Sequence, residues 1–594
     1  MRPMLWLWRL LETVGQGGVN SMNQDIAKIF RKIAFILEAF GVPFKPRAHE
    51  RAAEILESLG QDVAEIYQAG GLSALKEISG IGQALAEHIE EYIKTSHIKE
   101  FEELSKKFPV EIDELSRVEG LGPKKIRLLY KKLKVKNLAD LEKATAQGQI
   151  AILPNFGLKS EENIKRGIAF IKKTTNRVPL GQTLPLIRKI IDDLKQVKGV
   201  KKIVTAGSAR RWQETIGDID LLATSIAPQK IMEAFVALPE VVSVYAQGQT
   251  KTLVRLKNGL DADLRVVAPE YFGSALQYFT GDKNHNVQLR ELAIKKGYKL
   301  NEYGLFKAEK KIAGETEQEI YQKLGLKYPE PELRTASGEL EAAKKDLLPN
   351  LIPFGSLKGD LQTTTNWTDG AASLKEMAEA AEKYGLKYIA ITDHTQSLAM
   401  AHGLDERRLA QQGREIDKLN QVNKNFRIIK SAEVNINKDG TLDIKDEALA
   451  KLEIVSAAVH SSFRMSKEEM TKRILRAIEH PLLNILFHPT GRLINRREPY
   501  ELDMDKIIKA AKANQVALEL DCFPDRMDLK DIYVRQAVAL GVKIAIDTDA
   551  HHPSHFQFLE LGIGTARRAW VKKSDVINTW GVEKLLKWAK GKRY

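Results

Sequence analysis

Apolar residues recur along this chain in two rhythms. From Asn23 to Phe108 they fall at helical spacing, in short amphipathic segments separated by small loops. From Asn176 to Arg265 short apolar runs alternate with helical stretches, the pattern of a β/α domain. The rhythm is lost between Tyr328 and Pro353, where prolines and mixed charges predict a linker. It returns in the last third as apolar runs, each closed by a polar side chain and mostly followed by a helix. At 594 residues the chain exceeds a single core, and three to five domains are expected.

Candidate chemistry begins in the β/α stretch, where Gly207–Leu222 reads GSARRWQETIGDIDLL. Residues i and i+2 of a strand face the same side, so Asp218 and Asp220 point one way together. Two carboxylates among Ile219, Leu221 and Leu222 repel unless cations sit between them. Leu260–Val267, LDADLRVV, is a second apolar strand, carrying Asp261, Asp263 and Arg265. Three carboxylates on adjacent strands can hold two divalent ions, the apparatus of phosphoryl or nucleotidyl transfer. Oxygen-only ligands suit Mg²⁺. A lone D-x-D is as often a solvated strand end; the Gly-Ser turn, the arginines and the second acidic strand favour the metal reading.

Two stretches share another grammar: ISGIGQALAEHI (Ile78–Ile89) and VEGLGPKKIRLLY (Val118–Tyr130). Each has an apolar residue, a G-x-G turn and a helix starting just after it. In this helix-hairpin-helix pattern Gly80, Gly82, Gly120 and Gly122 let backbone N–H groups approach a DNA phosphate at a helix N-terminus. Lys124 and Lys125 follow the second turn. Such contacts are blind to base sequence.

Eight of the twelve histidines lie after residue 390. YIAITDH ends at Asp393 and His394, IIKSAEV carries Glu433, EIVSAAVH ends at His460 and NILFHP holds His488. VALELD has Glu519 and Asp521, and KIAIDTDAH ends with Asp549 and His551. Metal-competent side chains at the C-terminal ends of several apolar runs predict a site at the mouth of a β/α barrel. Mixed His, Asp and Glu ligands suit Zn²⁺, Mn²⁺ or Fe²⁺.

The formal net charge of +14 fits a polyanionic partner. Cys522 is the only cysteine, so an internal disulfide is excluded and a reducing, cytoplasmic setting is expected. Leu5–Leu11 is apolar but short and broken by Arg9, too short to span a bilayer.

The motif GS-x-RR-x-x-E-T-x-GDIDLL, with GQTKT (Gly248–Thr252), ADLRVV (Ala262–Val267), FGSALQYFTG (Phe272–Gly281) and LNEYGLF (Leu300–Phe306), resembles the family X DNA polymerases. It is most similar to bacterial and archaeal members with a C-terminal PHP domain. The resemblance implies a multidomain α/β protein: N-terminal helical helix-hairpin-helix domains, a nucleotidyltransferase-type α/β palm and a C-terminal PHP β/α barrel. The expected division is an extension outside the fold over 1–21, a DNA-binding domain with the first hairpin over 22–110, and a second hairpin domain over 111–175. The palm follows over 176–270, a nucleotide- and base-pair-binding subdomain over 271–330, the linker over 331–352 and the phosphoesterase-like PHP domain over 353–594.

By resemblance, Asp218, Asp220 and Asp263 are catalytic and hold two Mg²⁺ ions, with Mn²⁺ able to substitute. Arg177, Gly207, Ser208, Arg211 and Gly217 hold the incoming triphosphate, and Tyr278, Phe279, Gly281 and Asn286 receive its sugar and base. Lys251, Arg265 and Arg290 join the hairpin residues as DNA contacts. The barrel's Zn²⁺ or Mn²⁺ ligands are Asp369, His394, Glu433, Asp443, His460, His488, Asp549 and His551. The implied activity is template-directed filling of short gaps in base excision repair by a monomer, with gapped or primer-template DNA and deoxynucleoside triphosphates as partners and no membrane.

Three departures from the family pattern bear on function. Where lyase-active members carry an amine nucleophile, this chain has Ala84 and His88, so little lyase activity is expected. Trp212 stands where glycine is usual. Gln362 and Thr364 replace two expected histidines, so a barrel impaired as a 3′–5′ exonuclease is expected. The competing readings are a dominant phosphoesterase, a DNA-binding scaffold and a template-independent nucleotidyltransferase. The damaged histidine motif, the acid triad, and the paired hairpins with the YFTG segment argue against them in turn.

Overall fold

The computed structural model describes residues 21–591 apart from 60, 61, 79, 119, 174–176, 399 and 400. Except for Ser21, the expected extension lies outside the described residues. The chain divides into two compact units at 175/176. Among the described residues no helix is long and apolar enough to cross a membrane.

The first unit is helical and rests on two cores that share the helix Ser21–Ala39. Ile26, Phe30 and Ile33 enter one with Ala52, Leu56 and Ile89; Ile36 and Ala39 enter the other with Ile126, Leu129 and Ile164. The two expected hairpin domains are therefore built on one common helix. Their turns are near copies. Gly80 and Gly120 take φ of 87° and 83°, accessible at little cost only to glycine. Gly82 and Gly122 cap the helices Gln83–Thr95 and Pro123–Leu133 with φ/ψ of −82°/175° and −83°/174°.

The second unit opens with a five-stranded sheet in the order Val200–Thr205, Asp218–Ser225, Asp261–Val266, Lys251–Leu256 and Val241–Gln247. Only the second and third of these strands run parallel. Alternation sorts the side chains of Asp218–Ser225 by face. Ile219, Leu221 and Ala223 join a core with the helices Leu180–Lys195 and Pro228–Val236, leaving Asp218 and Asp220 on the opposite face. A smaller sheet of Lys299–Asn301, Gly304–Lys307 and Lys310–Ala313 follows, packed with helices Lys283–Lys295 and Glu317–Lys323.

The expected linker 331–352 is instead part of the fold. Arg334 is fully buried, 2.6 Å from Glu317, and Arg567 of the barrel lies 2.7 Å from buried Glu332. The mixed charges that suggested a solvated segment are there because they pair inside the unit.

The barrel consists of parallel strand segments in chain order: Gly359–Thr363, Tyr388–Ile391, Arg427–Lys430, Glu433–Asn435, Ser456–Ala458, Ile485–Leu486, Ala517–Asp521 and Ile544–Asp547. The third and fourth belong to one run interrupted at 431–432. The bridges His394↔Glu433 and Thr363↔Ala550 close the ring. Strand segments buried on both sides read as near-continuous apolar runs, as expected of parallel strands.

Palm and barrel are docked on one another. The Trp212 ring lies 5.0 Å from Phe354 and occupies space that a Cβ on Gly564 would need, 2.7 Å away. Its backbone carbonyl accepts a hydrogen bond from Arg568 Nη1. Arg492 holds Glu214 through two hydrogen bonds of 2.7 and 3.1 Å. The large residue in a glycine place is a key set into the barrel surface.

Candidate active site and metal centres

In the palm, parallel register pairs Asp218 with Asp261 and Asp220 with Asp263. Asp261 turns to Arg255, 2.7 Å away. Asp218, Asp220 and Asp263 are left as the open group. Burial, then the charges of Asp218 and Asp263, push the Asp220 carboxyl up to about 7. Lys251 Nζ lies 3.2 Å and Arg265 Nη2 3.4 Å from Asp263 Oδ2, while Asp263 Oδ1 is buried without a partner. Crowded carboxylates with an orphaned oxygen suit divalent cations.

The turn beside them has to be glycine. Gly207 has a φ of 57°, and a Cβ there would lie 1.9 Å from Asp220 Oδ2. Ser208 Oγ and Arg211 Nε are buried and unpartnered. Arg211 Nη1 donates to the Thr280 carbonyl at 2.5 Å, tying this turn to the YFTG segment. Arg177 donates to Thr215 through Nε at 3.2 Å and Nη2 at 2.5 Å, passes beside Gly217, and is held from behind by Asn495 Nδ2 on its own carbonyl.

Asn286 organises the other wall. Its Nδ2 donates to the Tyr278 carbonyl at 2.7 Å, and its Oδ1 would clash at 2.4 Å with a Cβ on Gly281. Arg265 lies over the Phe279 ring at 4.3 Å, and Arg290 Nε donates to the Asn286 carbonyl. Sequence reading missed the clamp beneath. Arg210 grips Glu317 with two hydrogen bonds, and Arg334 and Tyr328 also donate to it. Burial opposes that carboxylate's charge, but Arg334 and Arg210 hold its pKa at about 2. Of the RR pair the sequence assigns only Arg211 to the triphosphate and gives Arg210 no role.

In the barrel mouth, Glu433 is the hub. His488 Nε2 and His460 Nε2 lie 2.8 and 2.9 Å from its Oε1, and His394 Nδ1 lies 3.4 Å from its Oε2. Asp369 stands 3.7 Å from His394 and 3.9 Å from His551, and His551 is 3.7 Å from Asp549. His488 and Asp549 have φ of 27° and 50°, strain of a kind that gathers at functional sites. Asp443 stands apart, its carboxylate accepting hydrogen bonds from Thr395, Asn435 and Ser397. Gln362 and Thr364 are fully buried, and the side-chain polar atoms of both lack partners.

Arg526 was not foreseen. Its Nε lies 3.3 Å from both Asp521 and Asp549. Burial and neighbouring carboxylates push Asp521 and Glu519 well above the usual range. Asp549 goes down despite its burial, because His551 and Arg526 stand against it. The mouth thus carries a cation of its own.

In the first unit, a Cβ on Gly82 or Gly122 would meet nothing within 4 Å. The turn surfaces are open for the approach of a phosphate. Lys124 is exposed, whereas Lys125 donates to the Gly120 carbonyl and lies over Phe156.

Residues 21–98 match a helix-hairpin-helix domain, and 72–134 and 112–169 a SAM-like helix-hairpin-helix tandem. Residues 275–335 match the DNA polymerase beta thumb, and 360–522 the PHP domain. The chain is 38% identical over 564 residues to the DNA polymerase/3′-5′ exonuclease PolX of Bacillus subtilis, covering 94% of this chain and 97% of that protein. It is 26% identical to DNA polymerase lambda of Arabidopsis thaliana, over 53% of this chain and 62% of that one. A probable phosphatase of Thermoanaerobacter sp. is 28% identical over 37% of this chain and 89% of its own length.

Proposed function

As this chain belongs to the family X DNA polymerases and is a metal-dependent DNA-directed DNA polymerase, we propose that it fills short gaps in duplex DNA during base excision repair. The observation that carries this reading is the in-register pairing of Asp220 with Asp263, beside a turn that admits only glycine. Asp218, Asp220 and Asp263 would hold two Mg²⁺ ions, which when bound lower the pKa of the primer 3′-hydroxyl and neutralise the triphosphate and leaving pyrophosphate. Ser208, Arg177 and Arg211 offer donors to phosphate oxygens. Tyr278 and Phe279 form the wall against which sugar and base pack, with Asn286 fixing its backbone. The hairpin turns hold the DNA backbone flanking the gap, without sequence preference.

For the barrel we propose a weakened 3′–5′ exonuclease centred on Glu433, His394, His460, His488, Asp369, Asp549 and His551, with Zn²⁺ or Mn²⁺ as the ions these residues would hold. Its neutral Gln362 and Thr364 are poor ligands for such ions. Its second contribution is support for the palm. Arg568, Arg492 and Asn495 fix the backbone at Trp212, the side chain of Glu214 and the backbone at Arg177, all bordering the triphosphate turn.

A one-nucleotide-gapped duplex with labelled primer tests both parts. Template-matched extension by one base in the wild type, lost in Asp218→Ala with DNA affinity kept, is the expected result. Unchanged extension in that variant would remove the palm assignment. Rapid primer shortening without nucleotides, surviving Asp218→Ala but not His488→Ala, would overturn the weakened-nuclease reading.

A further inference from the structure

One cluster of metal-competent side chains belongs to neither site described above. His49 on the helix Lys45–Ser58, His88 on Gln83–Thr95 and Glu100 on Lys99–Lys107 each offer a ligand atom, and these atoms lie within 4.8 Å of one another. Among the described residues two other groups of three meet this spacing, and both are in the barrel mouth.

His49 is 5% exposed, and its Nδ1 lies 2.9 Å from the Lys45 carbonyl oxygen. A carbonyl only accepts, so Nδ1 carries the proton and Nε2 keeps its lone pair. That Nε2 is buried and has no hydrogen-bond partner. Burial of an orphaned acceptor is unfavourable, yet an imidazole anchored through its other nitrogen to a backbone carbonyl is how proteins orient a metal ligand. His88 directs Nε2 to Glu100 Oε2 at 3.2 Å and leaves Nδ1 buried and unpartnered. The second oxygen of Glu100 is 3.9 Å from Lys45 Nζ. Phe30 sets its ring edgewise against both imidazoles, with centroids 5.5 and 6.2 Å away, giving the cluster an apolar wall.

We propose that His49, His88 and Glu100 form a site for one divalent ion of the Zn²⁺ class, which clips three helices of the first unit together. Two imidazoles and a carboxylate suit Zn²⁺ better than Mg²⁺, and three protein ligands leave a fourth position for water. Ligands gathered from three helices convert binding into folding stability. The same His88 that cannot serve as an amine nucleophile serves here as a ligand.

The test uses the full chain, stripped with a chelator and titrated with Zn²⁺, and a parallel Co²⁺ titration read by visible absorption. Ions taken by the barrel are common to all variants and cancel in the difference. His49→Gln/His88→Gln is expected to lose one Zn²⁺ equivalent and the tetrahedral Co²⁺ bands of that equivalent. Glu100→Gln, at a half-buried position, is expected to weaken that equivalent about tenfold or more while circular dichroism stays unchanged. Equal stoichiometry with and without the two histidines overturns the proposal. If the double variant does not fold, unchanged affinity in Glu100→Gln overturns it. None of these readouts depends on DNA synthesis, so their failure leaves the polymerase reading standing.

Discussion

The second unit contains two constellations of metal-competent side chains, and they manage charge in opposite ways. The palm puts three carboxylates on one sheet face and sets against them Lys251 and Arg265 at Asp263 and Arg211 near Asp220. Asp220 is left with its pKa near 7 and Asp263 with an orphaned oxygen. The barrel mouth surrounds Glu433 with three imidazoles and lays Arg526 between Asp521 and Asp549. The palm leaves carboxylate charge crowded and only partly compensated, an arrangement that suits a divalent cation. The barrel sets Arg526 and His551 against Asp549 and gives Glu433 three imidazole neighbours.

The largest effect should come from removing one acid on each side. Asp218→Ala is expected to lower gap filling roughly a thousandfold or more with little change in melting temperature, because it relieves repulsion. Glu433→Gln is expected to do the reverse, lowering melting temperature while extension survives, because the buried contacts of His460 and His488 with the carboxylate are lost. Extension assays and calorimetry on the two variants would break the comparison if both behaved alike.

The Glu317 clamp comes next. Its folded pKa of about 2 lies below the ordinary glutamate value of 4.5. A depressed carboxylate contributes stability that is present above 4.5 and lost as pH falls toward 2. Glu317→Gln should therefore cost about 3 kcal/mol near neutrality, with the gap to wild type closing in acid. A constant difference from pH 7 to pH 3 would show that packing, not charge, sets its contribution.

A smaller effect is expected on restoring the missing imidazoles. Gln362→His/Thr364→His should raise 3′–5′ primer shortening about tenfold or more in Mn²⁺. No gain would mean that Arg526, rather than the two neutral residues, limits the barrel. Smallest of all, Arg568→Ala should raise the nucleotide KM several-fold with DNA affinity unchanged, by releasing the Trp212 backbone. An unchanged KM would reduce the docking to packing alone.

Much of this was written locally. The D-x-D alternation, the two G-x-G turns and the polar residues at the ends of apolar runs each act over a few residues, and period-2 or period-3.6 geometry converts such spacing directly into a face. The structure pairs Asp220 with Asp263, repeats the G-x-G turn geometry and gathers His394, His460 and His488 around Glu433, while Asp443 stands apart. The segment 331–352 was misread because composition shows charge but not partner, and Arg334 and Glu332 find theirs on other elements. Arg526 carried no legible signal, since its role depends on two strand ends meeting above it.

The sequence by itself therefore determined the elements, the sheet face that Asp218 and Asp220 share, and the neutral residues at Gln362 and Thr364. Those are properties of near neighbours in the chain. Only the tertiary structure decided what Trp212 is for, how Asp443 is spent, and that His49, His88 and Glu100 converge from three helices. Burial and long-range contact set the charge state and the partners of such groups, and neither can be read from spacing.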